Sequence, residues 1–304
     1  MKNSDQENEI FKSHVELFQP VEKELAILKK HEHLVDFKLV PARGISEGRQ
    51  SRVSVLGYKV ENQPHRVLWK RMAAGKGLSL ELATNLHNRL RPYKKELEAY
   101  GWTVPTLYYT EPIKLENEAQ IFSYEEYIAG GDGEFMITNR AEPNFRKWFI
   151  IRAVLETLNN YPEQSLRRKI IAGQNVSLLP HGLDLKLANF VLNERGRLYF
   201  VDLFGPKELD SKGNWLNYTI QLDSLPEEKL LAVTATREGA ILRFYRLAEK
   251  LWSKSCDVEP DKIRTGFKEI LDELTLPEIE KNFIISQLDS NFSWLDEIYS
   301  EQQV

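Results

Sequence analysis

The feature that most constrains the fold is a change of period along the chain. Up to about residue 130, apolar residues come in short runs of strand character: "VDFKLV", "RVSVLGYKV", "HRVLWKRM", "TLYYTEPIKL" and "AQIFSYEEYI". Successive side chains of a strand point to opposite faces, so runs of this kind suit half-buried strands. From Asn144 onward the spacing becomes mostly helical, as in "FRKWFIIRAVLETLNNY". This order predicts an α+β chain with a small antiparallel β-rich N-lobe, followed by a mainly helical C-lobe.

Finer boundaries follow from the punctuation. Residues 8 to 33 read as a helix, with Leu17, Val21, Leu25 and Leu28 at helical spacing. "LSLELATNLHNRL" and "PYKKELEAYG" read as two helices, because Pro92 lacks the amide hydrogen that a helix interior needs. "AGGDGE" suits a hinge better than a strand. "LRRKIIAG" is read with the helical part, whereas "NFVLNERGRLYFVDL" is its exception, a β-hairpin turning at "NERG". Residues 227 to 300 read as three or four helices. The expected organisation is a helical extension over 1–34, an N-lobe over 35–129 and a C-lobe over 130–304. Trp148, Trp215, Trp252 and Trp294 are expected in the core or in lobe packing.

Composition narrows the class of protein. The net charge of −4 argues against a chain whose main partner is nucleic acid or an anionic membrane. The one cysteine, Cys256, cannot form an intramolecular disulfide, and no Cys/His cluster has zinc-ligand spacing. "MKNSDQENEI" lacks the apolar core of a signal peptide, and no apolar run is long enough to span a bilayer. A cytoplasmic protein with no integral membrane segment is the expectation.

The stretch "HGLDLKLANF" carries the chemistry. Asp184, Lys186 and Asn189 precede the hairpin, and Asp202 closes it. A hairpin brings its ends together, so Asn189 and Asp202 become neighbours. Magnesium takes oxygen ligands and needs few from protein, so one carboxylate and one amide suffice when phosphate oxygens supply the rest. Phosphoryl transfer adds only cations for the phosphates and a carboxylate near the attacking hydroxyl.

At this point the chain resembles the protein-kinase-like superfamily, which includes protein kinases, aminoglycoside and choline phosphotransferases and lipopolysaccharide-core sugar kinases. "DLKLAN" resembles the Asp-Leu-Lys-x-x-Asn catalytic loop, and "FVDLFG" the strand that ends in a metal-binding aspartate. The resemblance implies a bilobal fold, with Asp184 as catalytic base and Lys186 on the transferred phosphate. It makes Asn189 and Asp202 the Mg²⁺ ligands. "RVLWKRM" selects Lys70 for the α- and β-phosphates of ATP, with Glu96 as its helix partner and Glu98 the fallback. "GISEGRQSRV" stands where a glycine-rich loop belongs, offering Gly44, Gly48 and Ser51. "YEEYIAGGD" resembles the strand running into an adenine-binding hinge, which implies Glu126 and Ile128 for the base and Asp132 for the ribose.

Several positions depart from that pattern. The loop is poor in glycine, His181 stands three residues before Asp184 rather than two, and Leu183 occupies a place where regulated protein kinases carry arginine. "DLFG" has an extra leucine relative to Asp-Phe-Gly, and no Ala-Pro-Glu-like segment follows. The resulting expectation is an ATP- and Mg²⁺-dependent phosphotransferase acting on a hydroxyl of a small molecule or glycan. Two alternatives stand beside it: a kinase-like protein that binds nucleotide or a partner without catalysis, and a protein kinase. Plain roles also stand: Asp184 and Asp132 as turn or cap residues, Glu96 as an exposed helix residue, and His181 as a structural hydrogen-bonding histidine.

Overall fold

The computed structural model describes Ala26, which is helical, and residues 38–40, 51–60, 63–73, 77–115, 118–216 and 225–300. The rest of the expected helix over 8–33, together with Gly44 and Gly48, lies outside the described residues. The fold is mixed α+β. Its contacts divide the chain into two compact units, one built on Glu47–Leu80 and Thr106–Tyr127, the other on Glu81–Pro105 and everything from Ile128 onward.

The first unit is an antiparallel sheet. Its strands are β1 (Lys38–Val40), β2 (Ser51–Val60), β3 (Gln63–Met72), β4 (Leu107–Leu115) and β5 (Glu118–Glu126), in the order β1-β2-β3-β5-β4. All five strand runs legible in the sequence are present. The alternation in β3 sends Val67 and Trp69 into a core with Leu56, Ile113, Phe122 and Tyr124, where the Trp69 and Tyr124 rings stack. Leu68 and Lys70 point the other way. That face is not solvent either, since Leu68 and Lys70 are both buried.

The second unit begins with α1 (Leu80–Ala99), whose buried stripe is Ala83, Leu86, Leu90, Tyr93 and Leu97. The chain does not break at Pro92. Proline deprives the Asn88 carbonyl of its partner, but both residues lie on the exposed face, where water can replace the lost bond. The α1 residues from Glu81 onward belong to the second unit. The Tyr93 hydroxyl donates to the Gly182 carbonyl at 2.8 Å, and Arg89 Nε donates to Glu208 at 2.8 Å.

"AGGDGE" is a strand and helix start rather than a hinge. β6 (Gly130–Asp132) pairs with β9 (Phe190–Asn193), which pairs with β10 (Leu198–Phe200). A Cβ at Gly130 would stand 2.1 Å from the Leu192 carbonyl oxygen, and one at Gly133 2.7 Å from that of Leu187. Glycine here permits backbone to approach backbone. The α2 helix (Gly133–Thr138) follows at once, and α3 is Asn144–Asn159.

"LRRKIIAG" is not helical either. It forms β7 (Arg167–Ile171), paired with β8 (Gln174–Leu178) across Ala172 and Gly173, whose φ values are 45° and 72°. Two positive φ angles make the tight turn whose twist suits a hairpin. The expected hairpin at "NERG" is present as β9–β10, with the Asn193 side chain accepting from the Arg195 and Arg197 amides at 3.0 and 2.8 Å.

Beyond residue 225 the described residues hold five helices rather than three or four: α4 (Glu227–Ala235), α5 (Arg237–Cys256), α6 (Pro260–Glu273), α7 (Glu278–Asp289) and α8 (Ser293–Ser300). The boundary missed in the sequence is Thr236. Its hydroxyl accepts from the Gly239 amide at 3.0 Å and so caps α5 immediately after α4 ends. Trp215, Trp252 and Trp294 are buried, and Trp148 packs edge-on against Trp252. No described helix is long and apolar enough to cross a membrane.

Glu238, in the first turn of α5, is 1% exposed and lies close to the equally buried Glu280 of α7. Burial, reinforced by the charge of Glu280, pushes its carboxyl up from 4.5 to about 7. The folded protein therefore holds a proton that the unfolded chain releases, and stability falls as pH rises from 4.5 to about 7. Glu238→Gln should flatten that slope, because an amide keeps an acceptor for the Ser177 amide and has no proton to lose. Urea melts of parent and variant across this range read it directly, and parallel slopes would refute the assignment.

Candidate functional site

The loop before the hairpin is fixed at its start by backbone bonds. Leu183 donates to the Thr234 carbonyl at 2.6 Å and Gly182 to the Lys207 carbonyl at 2.7 Å. A Cβ at Gly182 would meet the Trp215 ring at 2.6 Å, so only glycine fits between that indole and the loop. Past this clamp the chain turns tightly, with Lys186 N bonding Asp184 O at 2.8 Å and Asn189 N bonding Lys186 O at 2.9 Å.

The Asp184 carboxylate is held by two cations. Lys186 Nζ lies 2.7 Å from Oδ2, and Arg243 Nη2, from α5, lies 2.9 Å from Oδ1. Burial pushes the Asp184 carboxyl up, but Arg243 and Lys186, with Lys207 behind them, outweigh burial and hold it below the usual range for aspartate. Asp184 is thus a fixed anion at neutral pH.

The hairpin does bring its ends together. Val201 N donates to Asn189 O at 2.8 Å, with Asp202 the next residue along. Asn189 Nδ2 donates to the Asp184 carbonyl at 2.7 Å, so the side-chain oxygen is the atom left to face a cation. Asp202 is half-buried, and its Oδ1 accepts from the Phe204 amide at 3.3 Å. Among the described residues no three His, Cys, Asp or Glu side chains gather as metal ligands. An ion here would therefore depend on Asn189, Asp202 and oxygens of a bound ligand, a donor set that fits magnesium.

In the sheet unit, Lys70 Nζ pairs with Glu125 Oε2 at 2.8 Å. Lys70 stands opposite Ser123 in the β3–β5 register, and Glu125, two residues along β5, shares that face as the diagonal neighbour. Ser123 Oγ also donates to Glu125 at 2.9 Å. Lys70 thus has a carboxylate partner on its own sheet. Glu96 lies in the other unit beside His181, and Glu98 pairs with Lys94 on α1.

The remaining candidates are scattered by role. Ser51 opens β2 opposite Met72. Glu126 ends β5, accepting from the Thr106 amide at 3.1 Å, while Ile128 is half-buried just past the point where the chain passes from one unit to the other. Asp132 is 4% exposed and caps α2, its Oδ1 accepting from Phe135 N at 2.7 Å, so the plain role of a capping aspartate is the one its geometry displays.

His181 is fully buried among Tyr93, Tyr100 and Tyr161. Trp102 Nε1 donates to Tyr161 Oη at 2.7 Å, and Tyr161 Oη is hydrogen-bonded to His181 Nε2 at 2.9 Å. His181 Nδ1 lies 3.5 Å from Glu96 Oε1. Burial holds the Tyr161 hydroxyl protonated. His181 therefore supports the loop from behind.

Two residues of this chemistry were not legible in the sequence. Arg243 sits inside an ordinary amphipathic helix, and no local spacing marks it. Glu125 becomes visible only once β3 and β5 are paired in register. Against known proteins, no protein-family model matches the chain, and no curated protein matches it. Among solved structures, one described as WaaP in complex with acyl carrier protein aligns over 88% of this chain and 92% of its own, with 13% identity and a TM-score of 0.37. A score that low carries no argument about chemistry.

Proposed function

We propose that the chain is an ATP- and Mg²⁺-dependent phosphotransferase whose acceptor is a hydroxyl of a small molecule or glycan. One observation carries this reading. A single turn holds the Asp184 carboxylate, bonds its carbonyl to Asn189, and lies where the hairpin returns Asp202. Asp184 orients and deprotonates the acceptor hydroxyl, and Lys186 offsets charge developing on the transferred phosphoryl group. Asn189 and Asp202 would hold the Mg²⁺, which when bound neutralises phosphate charge. Lys70 is assigned to the α- and β-phosphates of the nucleotide.

A thermal-shift titration with ATP, with and without Mg²⁺, tests the nucleotide site on the parent and on Asp202→Asn. Ligand at a hundredfold excess over Kd stabilises by about 2.7 kcal/mol, so a metal-dependent rise on the order of 5 °C is expected in the parent and none in the variant. No shift under any condition would defeat the proposal.

The two cations on Asp184 favour a second reading, in which the site binds nucleotide without transferring phosphate. ADP release measured with sugars, amino-alcohols, aminoglycosides and a generic protein acceptor separates the two. Turnover confined to the protein acceptor would replace the small-molecule reading with that of a protein kinase.

A further inference from the structure

Away from this site, a lysine is buried against the chain's one cysteine. Lys147 on α3 is 1% exposed. Its Nζ lies 3.0 Å from Cys256 Sγ at the end of α5, 3.0 Å from the Ile137 carbonyl oxygen and 5.6 Å from the Trp252 ring centroid. Among the described residues Lys147 has no carboxylate partner, which is unusual for a buried ammonium. Packing against the Trp252 ring fixes the nitrogen beside the sulfur, and the Ile137 carbonyl holds both, lying 3.5 Å from Sγ. Cys256 itself is only half-buried, so a small solute can reach it.

We propose that Lys147 and Cys256 are an oxidation-sensitive pair that closes into a covalent N–S bond between α3 and α5 on exposure to peroxide. In the first step the thiol attacks a peroxide. The sulfur is oxidised to a sulfenic acid, the O–O bond is reduced, and an alcohol or water leaves. In the second step the Lys147 nitrogen displaces the sulfenic oxygen. The N–S bond forms, the S–O bond breaks, the oxygen departs as water with one nitrogen hydrogen, and the ammonium's extra proton goes to solvent. Capture by a nitrogen already 3.0 Å away diverts the sulfur from irreversible sulfinic and sulfonic acids. Reduction by a thiol restores both side chains.

The chain is suited to the test, because its sequence holds one cysteine. Hydrogen peroxide should give a species about 2 Da lighter than the parent, reversed by dithiothreitol, with one cross-linked peptide pair containing Lys147 and Cys256. In Lys147→Arg the charge remains but the primary amine is gone, so the sulfenic acid should persist. It should label with dimedone at least fivefold more than the parent, then advance to the sulfinic acid about 32 Da heavier. A parent that goes to sulfinic acid without a cross-linked peptide would overturn the proposal, whatever the variant does. Equal dimedone labelling of parent and folded Lys147→Arg would overturn it too.

Discussion

Asp184→Asn should sharply slow phosphoryl transfer while leaving nucleotide binding intact. The substitution removes the proton acceptor and keeps the shape of the side chain. It also keeps the backbone carbonyl that receives Asn189 Nδ2 at 2.7 Å. A positioned general base contributes about 10²–10⁴-fold, so kcat for the best acceptor should fall by that factor. The Mg²⁺-dependent thermal shift with ATP should persist, since Asn189 and Asp202 are untouched. The variant also strands Arg243, whose Nη2 lies 2.9 Å from Asp184 Oδ1, so a modest loss of stability should accompany the loss of rate. Turnover at the parental level would remove Asp184 from the mechanism. Loss of nucleotide binding together with turnover would make it a structural anchor instead.

The second large effect concerns stability and lies in the buried ion cluster between α5 and α7. Arg237 is 1% exposed, and its guanidinium lies 2.7 Å from Glu280 Oε2 and 2.9 Å from Glu163 Oε1. Glu280 is equally buried and also receives Arg168 at 2.8 Å and the Ser177 hydroxyl at 2.5 Å. Arg237→Met leaves Glu280 beside Glu238 with only the half-exposed Arg168 to balance two buried carboxylates. Removing one partner of a buried pair costs about 3–5 kcal/mol, which in a chain of this size lowers Tm by on the order of 10 °C. The double variant Arg237→Met/Glu280→Met should recover most of that loss, because the uncompensated charge goes with its partner. Calorimetry on the two variants decides it. A double variant no more stable than the single one would show that packing around the cluster matters more than its charge.

How much of this was legible in the sequence depends on the range of the interaction involved. Strands β2, β3, β4 and β5 and the hairpin at "NERG" follow from short runs of strand-forming residues and from turn residues, which act over a few positions. Asn189 and Asp202 belong to the same class, since a hairpin fixes the proximity of its own ends. The misreadings share the opposite character. Pro92 was expected to end a helix, but its tolerance depends on Asn88 and Pro92 both facing outward. Gly130 and Gly133 looked like a hinge, whereas the close passage of the Leu192 and Leu187 carbonyls requires them. "LRRKIIAG" carries arginine, lysine and alanine, all acceptable in a helix. It became a strand because "QNVSL" pairs with it across Ala172 and Gly173.

What the amino-acid order determined by itself was the α+β class and the turn and hairpin that carry Asp184, Lys186, Asn189 and Asp202. Each rests on contacts between near neighbours, where backbone geometry leaves few choices. Only the tertiary structure decided which side chain meets which: Glu125 for Lys70, Arg243 for Asp184, Lys147 for Cys256. Those pairings join residues far apart along the chain, and burial selects among them because a charge removed from water must find its partner wherever packing puts one.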